Sequence, residues 1–115
     1  MVAAWIGDLN DPVFSMSSGS WGGNVPRRMG PEFPYSTVPF NAIIQKVNNG
    51  EFEGKQVDWG GTVAVVNKQQ IIRFIEEVYP LPHNELLSER IKELKDYIEN
   101  LEEGKSYALV ACELS

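Results

Sequence analysis

The chain has 115 residues, of which 43% are hydrophobic and 23% charged. That size and balance suit one globular domain and exclude global disorder. Its formal net charge of −6 opposes the counterion release that drives nucleic-acid binding, so direct contact with DNA or RNA is not expected and a basic partner suits it better. One cysteine, Cys112, rules out an internal disulfide and a cysteine-based metal site.

Composition changes near Gly61. All three tryptophans, nine of ten glycines and five of seven prolines lie at or before it, so the two parts must be built differently. Residues 2–6 form an apolar run closed by Gly7-Asp8 and the turn-prone Asn10-Asp11-Pro12, which reads as a strand with residues 13–16 as its simplest hairpin partner. Asp8, Asn10 and Asp11 suggest the start of a calcium loop, but Pro12 and Gly19 fall at its fifth and twelfth positions, so an Asx turn is the better account. Residues 17–36, rich in Ser, Gly and Pro, show no hydrophobic period and read as a long loop, the kind of segment that most often carries function. A short irregular strand hidden within it is the competing reading.

Between residues 39 and 49, Phe40, Ile43, Ile44 and Val47 stand at helical spacing before Gly50 and predict an amphipathic helix. Residues 51–58 are polar and read as a connection, with an extended piece at Gln56-Val57. The β-branched run 62–66 predicts a strand covered on both faces. Asn67 is placed to cap a helix over 68–79 that halts before Pro80. After a rigid elbow at 80–82, Asn84 caps a longer helix running to about Glu103 and ended by Gly104, with Leu87, Ile91, Leu94, Ile98 and Leu101 as its apolar stripe. This helix holds seven acids and three bases. Residues 107–112 form an apolar run that predicts an interior strand. The expected fold class is α+β, a mixed or antiparallel sheet of three to five strands with three helices packed mainly on one face.

Few residues suggest chemistry. The sole histidine, His83, stands at a helix start, and no serine lies in the Gly-x-Ser-x-Gly turn of a hydrolase. The glycine-rich stretch 18–23 lacks the Lys-Ser/Thr of a phosphate loop and the spacing of a dinucleotide site. Cys112 has no adjacent base and reads as a small buried hydrophobe. Paired carboxylates such as Glu76/Glu77 and Glu102/Glu103 do not face each other on a helix and read as solvated surface.

Trp-Gly-Gly occurs twice, at Trp21-Gly22-Gly23 and Trp59-Gly60-Gly61. A rigid aromatic surface beside backbone without Cβ atoms suits either recognition or a plain turn. Two functional readings follow. In the first, the chain is a protein-binding module, of the immunity, antitoxin or phage-regulator kind, acting by contact with a basic protein. In the second, it is a small enzyme or ligand-binding domain with a pocket under residues 17–36, lined by Trp21, Trp59, Arg27 and Asp58. Arg27 and Arg28 are the candidate anion clamp. No metal or cofactor is expected. Residues 1–7 lack a basic region ahead of the apolar run, and no stretch reaches membrane-span length, so a cytoplasmic monomer or small homo-oligomer is expected.

Overall fold

A computed structural model describes residues 1–10, 25–57, 61–80 and 85–113. Strands β1 (Val2–Gly7), β2 (Arg28–Met29), β3 (Glu53–Val57), β4 (Gly61–Asn67) and β5 (Ser106–Glu113) form one sheet in the order β2-β1-β5-β4-β3. Every pairing is antiparallel. The expected interior strand is β5, held between β1 and β4 with residues 107–111 all buried. A strand hydrogen-bonded on both sides and apolar on both faces has no solvated surface left, which is why its alternation is lost in the sequence.

Helices α1 (Thr37–Asn48), α2 (Lys68–Val78) and α3 (Glu85–Glu99) cover the sheet face that carries Ala4, Ile6, Ala64, Val66, Tyr107, Leu109 and Ala111. Their buried residues, including Ile43, Ile71, Phe74, Ile75, Ile91 and Leu94, form one core with that face. The α2 start is a capping box in which the Asn67 side chain accepts from the Gln70 amide at 2.9 Å and the Gln70 side chain accepts from the Asn67 amide at 2.9 Å. Two orphan N–H groups are satisfied there at once.

Two glycines show where α1 and α3 approach the strands at the sheet's ends. A Cβ on Gly54 in β3 would stand 3.2 Å from Val47 Cγ2, so α1 reaches towards the β3 edge. A Cβ on Gly30, just past β2, would stand 2.7 Å from the Tyr97 ring, so α3 lies towards the β2 edge. Helix α2 touches both neighbours: Lys46 of α1 pairs with Glu77, and Gln69 donates to Glu103 beyond the end of α3.

The centre of the opposite face of the sheet is also buried. Ala3, Trp5, Val63, Ala108 and Val110 form a second cluster, against which Leu9, Val25 and Cys112 pack. The Trp5 indole donates to the Pro26 carbonyl at 2.9 Å. A Cβ on Gly7 would meet Pro26 Cβ at 2.8 Å and Val110 Cγ2 at 2.9 Å, so the chain around Pro26 closes onto bare backbone.

Three expectations change. The segment expected to be loop over 17–36 contains β2 at Arg28–Met29, whose residues align with Gly7 and Ile6. The connection over 51–58 is largely strand β3, aligned with β4 from Glu53 onwards. The third helix ends at Glu99 rather than near Glu103, because Asn100 and Leu101 donate to Tyr97 and Ile98 in tighter three-residue turns. The Asx turn is present, with the Asn10 amide donating to Asp8 Oδ1 at 2.9 Å. The proposed strand 13–16, the elbow residues Leu81 and Pro82, and the cap at Asn84 lie outside the described residues.

Urea denaturation checks this packing. Leu94→Ala, at a fully buried side chain, is expected to cost about 2–5 kcal/mol. Leu86→Ala, on the same helix but 69% exposed, is expected to change stability by less than about 0.5 kcal/mol. Gly7→Ala is expected to cost about 1–3 kcal/mol through overpacking against Pro26 and Val110.

Candidate functional site

The acidic helix and its display come first. Leu87, Ile91, Leu94 and Ile98 of α3 are buried, and burial of that stripe fixes which side chains face water. Glu85, Glu89, Glu93 and Asp96, spaced by four, four and three residues, are all exposed. This spacing sets one carboxylate above the next along the helix. None of the four takes part in an ion pair among the described residues, whose ion pairs lie elsewhere. Arg90, Lys92 and Lys95 share the outer surface but bridge none of these acids within the same set. Leu86 adds one exposed apolar side chain near the helix start.

The ends of α3 suit its charge unequally. Glu85 lies in the first turn, where the helix dipole favours an anion. The last turn has no basic residue of its own, and Lys68 of α2 supplies one by donating to the Glu99 carbonyl at 2.9 Å. The helix is therefore tied at its C-terminal end to α2, and its acidic face is carried on a packed element.

A second polar cluster centres on Lys46. Its ammonium donates to Glu51 Oε2 and Glu77 Oε2, each at 2.7 Å, and stands 5.5 Å from the centre of the Phe52 ring. The lysine side chain is only 16% exposed. Hydrogen bonds to Glu51 and then Glu77 outweigh its burial and hold its pKa above the ordinary lysine value. A lysine so held stays charged at neutral pH, whereas amine catalysis requires the opposite shift.

Two shallow depressions flank this cluster. One, about 250 Å³, lies among Lys46, Phe52, Gln70, Arg73 and Phe74; the other, about 240 Å³, lies among Val38, Ala42, Asn49 and Val78. A third, about 190 Å³, separates α2 from α3 beside Ile72 and Lys95. All three fall below the roughly 300–1,000 Å³ typical of small-molecule sites.

Other reactive groups are placed for packing. Cys112 is half-buried, and burial, then the charge of Glu113, pushes its thiol pKa up, away from the thiolate a nucleophile needs. Among the described residues no three His, Cys, Asp or Glu side chains gather as a metal site. Within the same set no helix is long and apolar enough to cross a membrane.

Of the residues proposed from the sequence, Trp21, Trp59 and Asp58 lie outside the described residues, as does His83. Arg27 and Arg28 are exposed: Arg28 aligns with Gly7 in the sheet, while the Arg27 carbonyl, just before β2, accepts from the Asp8 amide at 3.0 Å. Arg27 pairs with Asp8 at 3.5 Å and Arg28 with Glu32 at 3.2 Å. The two guanidiniums thus engage separate acids rather than converging on one anion. Lys46 was not singled out in the sequence, because its partners Glu51 and Glu77 lie in two different segments and no spacing rule links them.

The Lys46 cluster carries a pH prediction. A raised folded-state pKa means that its stabilisation is fully present below the unfolded lysine value of 10.5 and is lost as pH rises through the higher folded value. The advantage in melting temperature of the wild type over Lys46→Met is therefore expected to be constant through neutral pH and to shrink above pH 10.5. Paired thermal melts across that range check it. Comparisons with protein-family models, curated proteins and solved structures gave no match.

Proposed function

We propose that the protein is a binding module that acts by direct contact with a basic surface of another protein, through the outer face of α3. The observation that supports this most is the row Glu85, Glu89, Glu93 and Asp96, exposed on a helix whose other stripe is buried, with no ion pair to any of them among the described residues. Arg90, Lys92 and Lys95 are interspersed with this row, but they bridge none of its members among the described residues. Here the carboxylates are left available, and a row on a rigid element steers a cationic partner and sets its register.

The class of partner follows from charge. A basic active-site rim or a nucleic-acid-binding surface on another protein would match the acidic face, as in inhibitors of the immunity or antitoxin kind or phage-type regulators. Leu86 offers an apolar contact beside the charges. The reading places the working surface on a helix and requires no pocket, in keeping with the small depressions described above.

The test is affinity capture from the native host, with the wild type and a Glu89→Lys/Glu93→Lys variant compared side by side. Both side chains are exposed, so the variant is expected to keep its stability within about 0.5 kcal/mol per site. A specific basic partner is expected with the wild type, released by salt, with association slowed about tenfold or more in the variant. Identical recovery with both proteins would show that this face does not bind.

A further inference from the structure

We propose that the depression between Lys46 and Arg73 is a binding site for a free α-amino acid with an apolar side chain. Its lining carries the three kinds of group such a ligand needs. Arg73 and Gln70 of α2 offer donors to a carboxylate, Glu51 and Glu77 offer acceptors to an ammonium, and Phe52 and Phe74 offer ring surface to the side chain. A ligand with a single charge meets one favourable wall and one repelling wall, whereas a zwitterion is matched by both.

The bonds already made around Lys46 decide which groups remain for a ligand. Arg73 and Glu77 stand four residues apart on α2, a spacing at which opposite charges commonly pair. Here Glu77 turns instead to Lys46, which it meets through Oε2 at 2.7 Å. Arg73 is exposed and takes part in no ion pair among the described residues. Its guanidinium, a planar fork suited to a carboxylate, is therefore available. Gln70 is aimed by the capping box: its Oε1 accepts from the Asn67 amide at 2.9 Å, which leaves Nε2 to donate. On the facing wall Lys46 bonds Oε2 of both Glu51 and Glu77, so it holds the two carboxylates in place and leaves Oε1 of each to accept from an ammonium.

The floor is already built. Phe52 and Phe74 are 8% and 1% exposed, with ring centroids 6.1 Å apart, so a ligand meets fixed apolar surface without ordering it first. A volume of about 250 Å³, below that of drug-sized sites, sets the ligand at the scale of one amino acid. Few contacts in an open depression put the dissociation constant on the order of millimolar. The site is formed by α1, α2 and the turn before β3 and shares no residue with the carboxylate row of α3, so either can fail without the other.

Titration of the isotope-labelled full chain with L-leucine, followed by nuclear magnetic resonance, tests the site. Saturable shifts are expected at residues 46, 51, 52 and 70–77 and at the Arg73 side-chain N–H. N-acetyl-L-leucine, which lacks the ammonium, and L-leucinamide, which lacks the carboxylate, are each expected to bind about tenfold more weakly or worse. Arg73→Gln, at an exposed side chain, is expected to keep the fold and to weaken L-leucine about tenfold or more, while leaving the weak binding of L-leucinamide unchanged. No saturable shift at these residues up to the solubility limit of L-leucine overturns the proposal. Equal binding of the three ligands does so too, as does L-leucine binding that is indifferent to Arg73→Gln.

Discussion

Burial of β5 on both faces is the constraint around which the rest of the molecule is arranged. Ala108, Leu109, Val110 and Ala111 leave no surface to water, so each neighbouring element exists to cover or pair some part of this strand. Its two hydrogen-bonded edges call for β1 and β4. Its helix-side residues Tyr107, Leu109 and Ala111 pack in one core with all three helices. Its other face, through Ala108 and Val110, needs a second cover, part of which is the chain around Val25 and Pro26 fastened by the Trp5 indole. Because β1 and β5 come from distant parts of the sequence, the sheet closes through non-local contacts, the kind whose loop-closure entropy must be met before they stabilise anything.

With the centre given over to apolar packing, polar chemistry is displaced to the margins, and the two margins differ. Towards the β2 edge, α3 displays carboxylates that have no ionic partner among the described residues, on a helix tied down by Lys68. Towards the β3 edge, charges are paired and used as fasteners: Lys46 links α1, the turn before β3 and α2 through Glu51 and Glu77. Unpaired charge on a rigid face suits recognition of an opposite charge, whereas a bridged lysine holds elements together. The proposal that α3 binds, and the structural reading of Lys46, rest on this difference in bonding.

The elements that were legible in sequence are those whose pattern arises from one chain segment alone. The periodicity of Ile71, Phe74, Ile75 and of Leu87, Ile91, Leu94, Ile98 marked helices, and the Asn67 cap marked where one begins. Unbroken apolar runs marked β4 and β5 as interior. Of β3 only Gln56-Val57 was legible as extended, because Glu-Gly-Lys-Gln carries no hydrophobic alternation, as expected of an edge whose order comes from β4. Strand β2 is a short strand of the kind the competing reading of residues 17–36 allowed, but it could not be located because two residues have no period at all; they are extended because they lie beside β1, next to the Trp5–Pro26 bond. The end of α3 was misplaced because Gly104 offers a familiar stop, while the helix closes earlier through the bonds to Tyr97 and Ile98.

The sequence by itself determined the α+β class, the three helices and the interior strands, since each is written in the spacing or composition of a continuous stretch. Only the tertiary structure decided the strand order, the strands at both edges, the separate acidic partners of Arg27 and Arg28, and the Lys46 cluster. These depend on register and on partners brought together from separate segments. Periodicity reports which face of an element is buried, but not what lies against it; that is settled when the faces of all the elements must be buried at once.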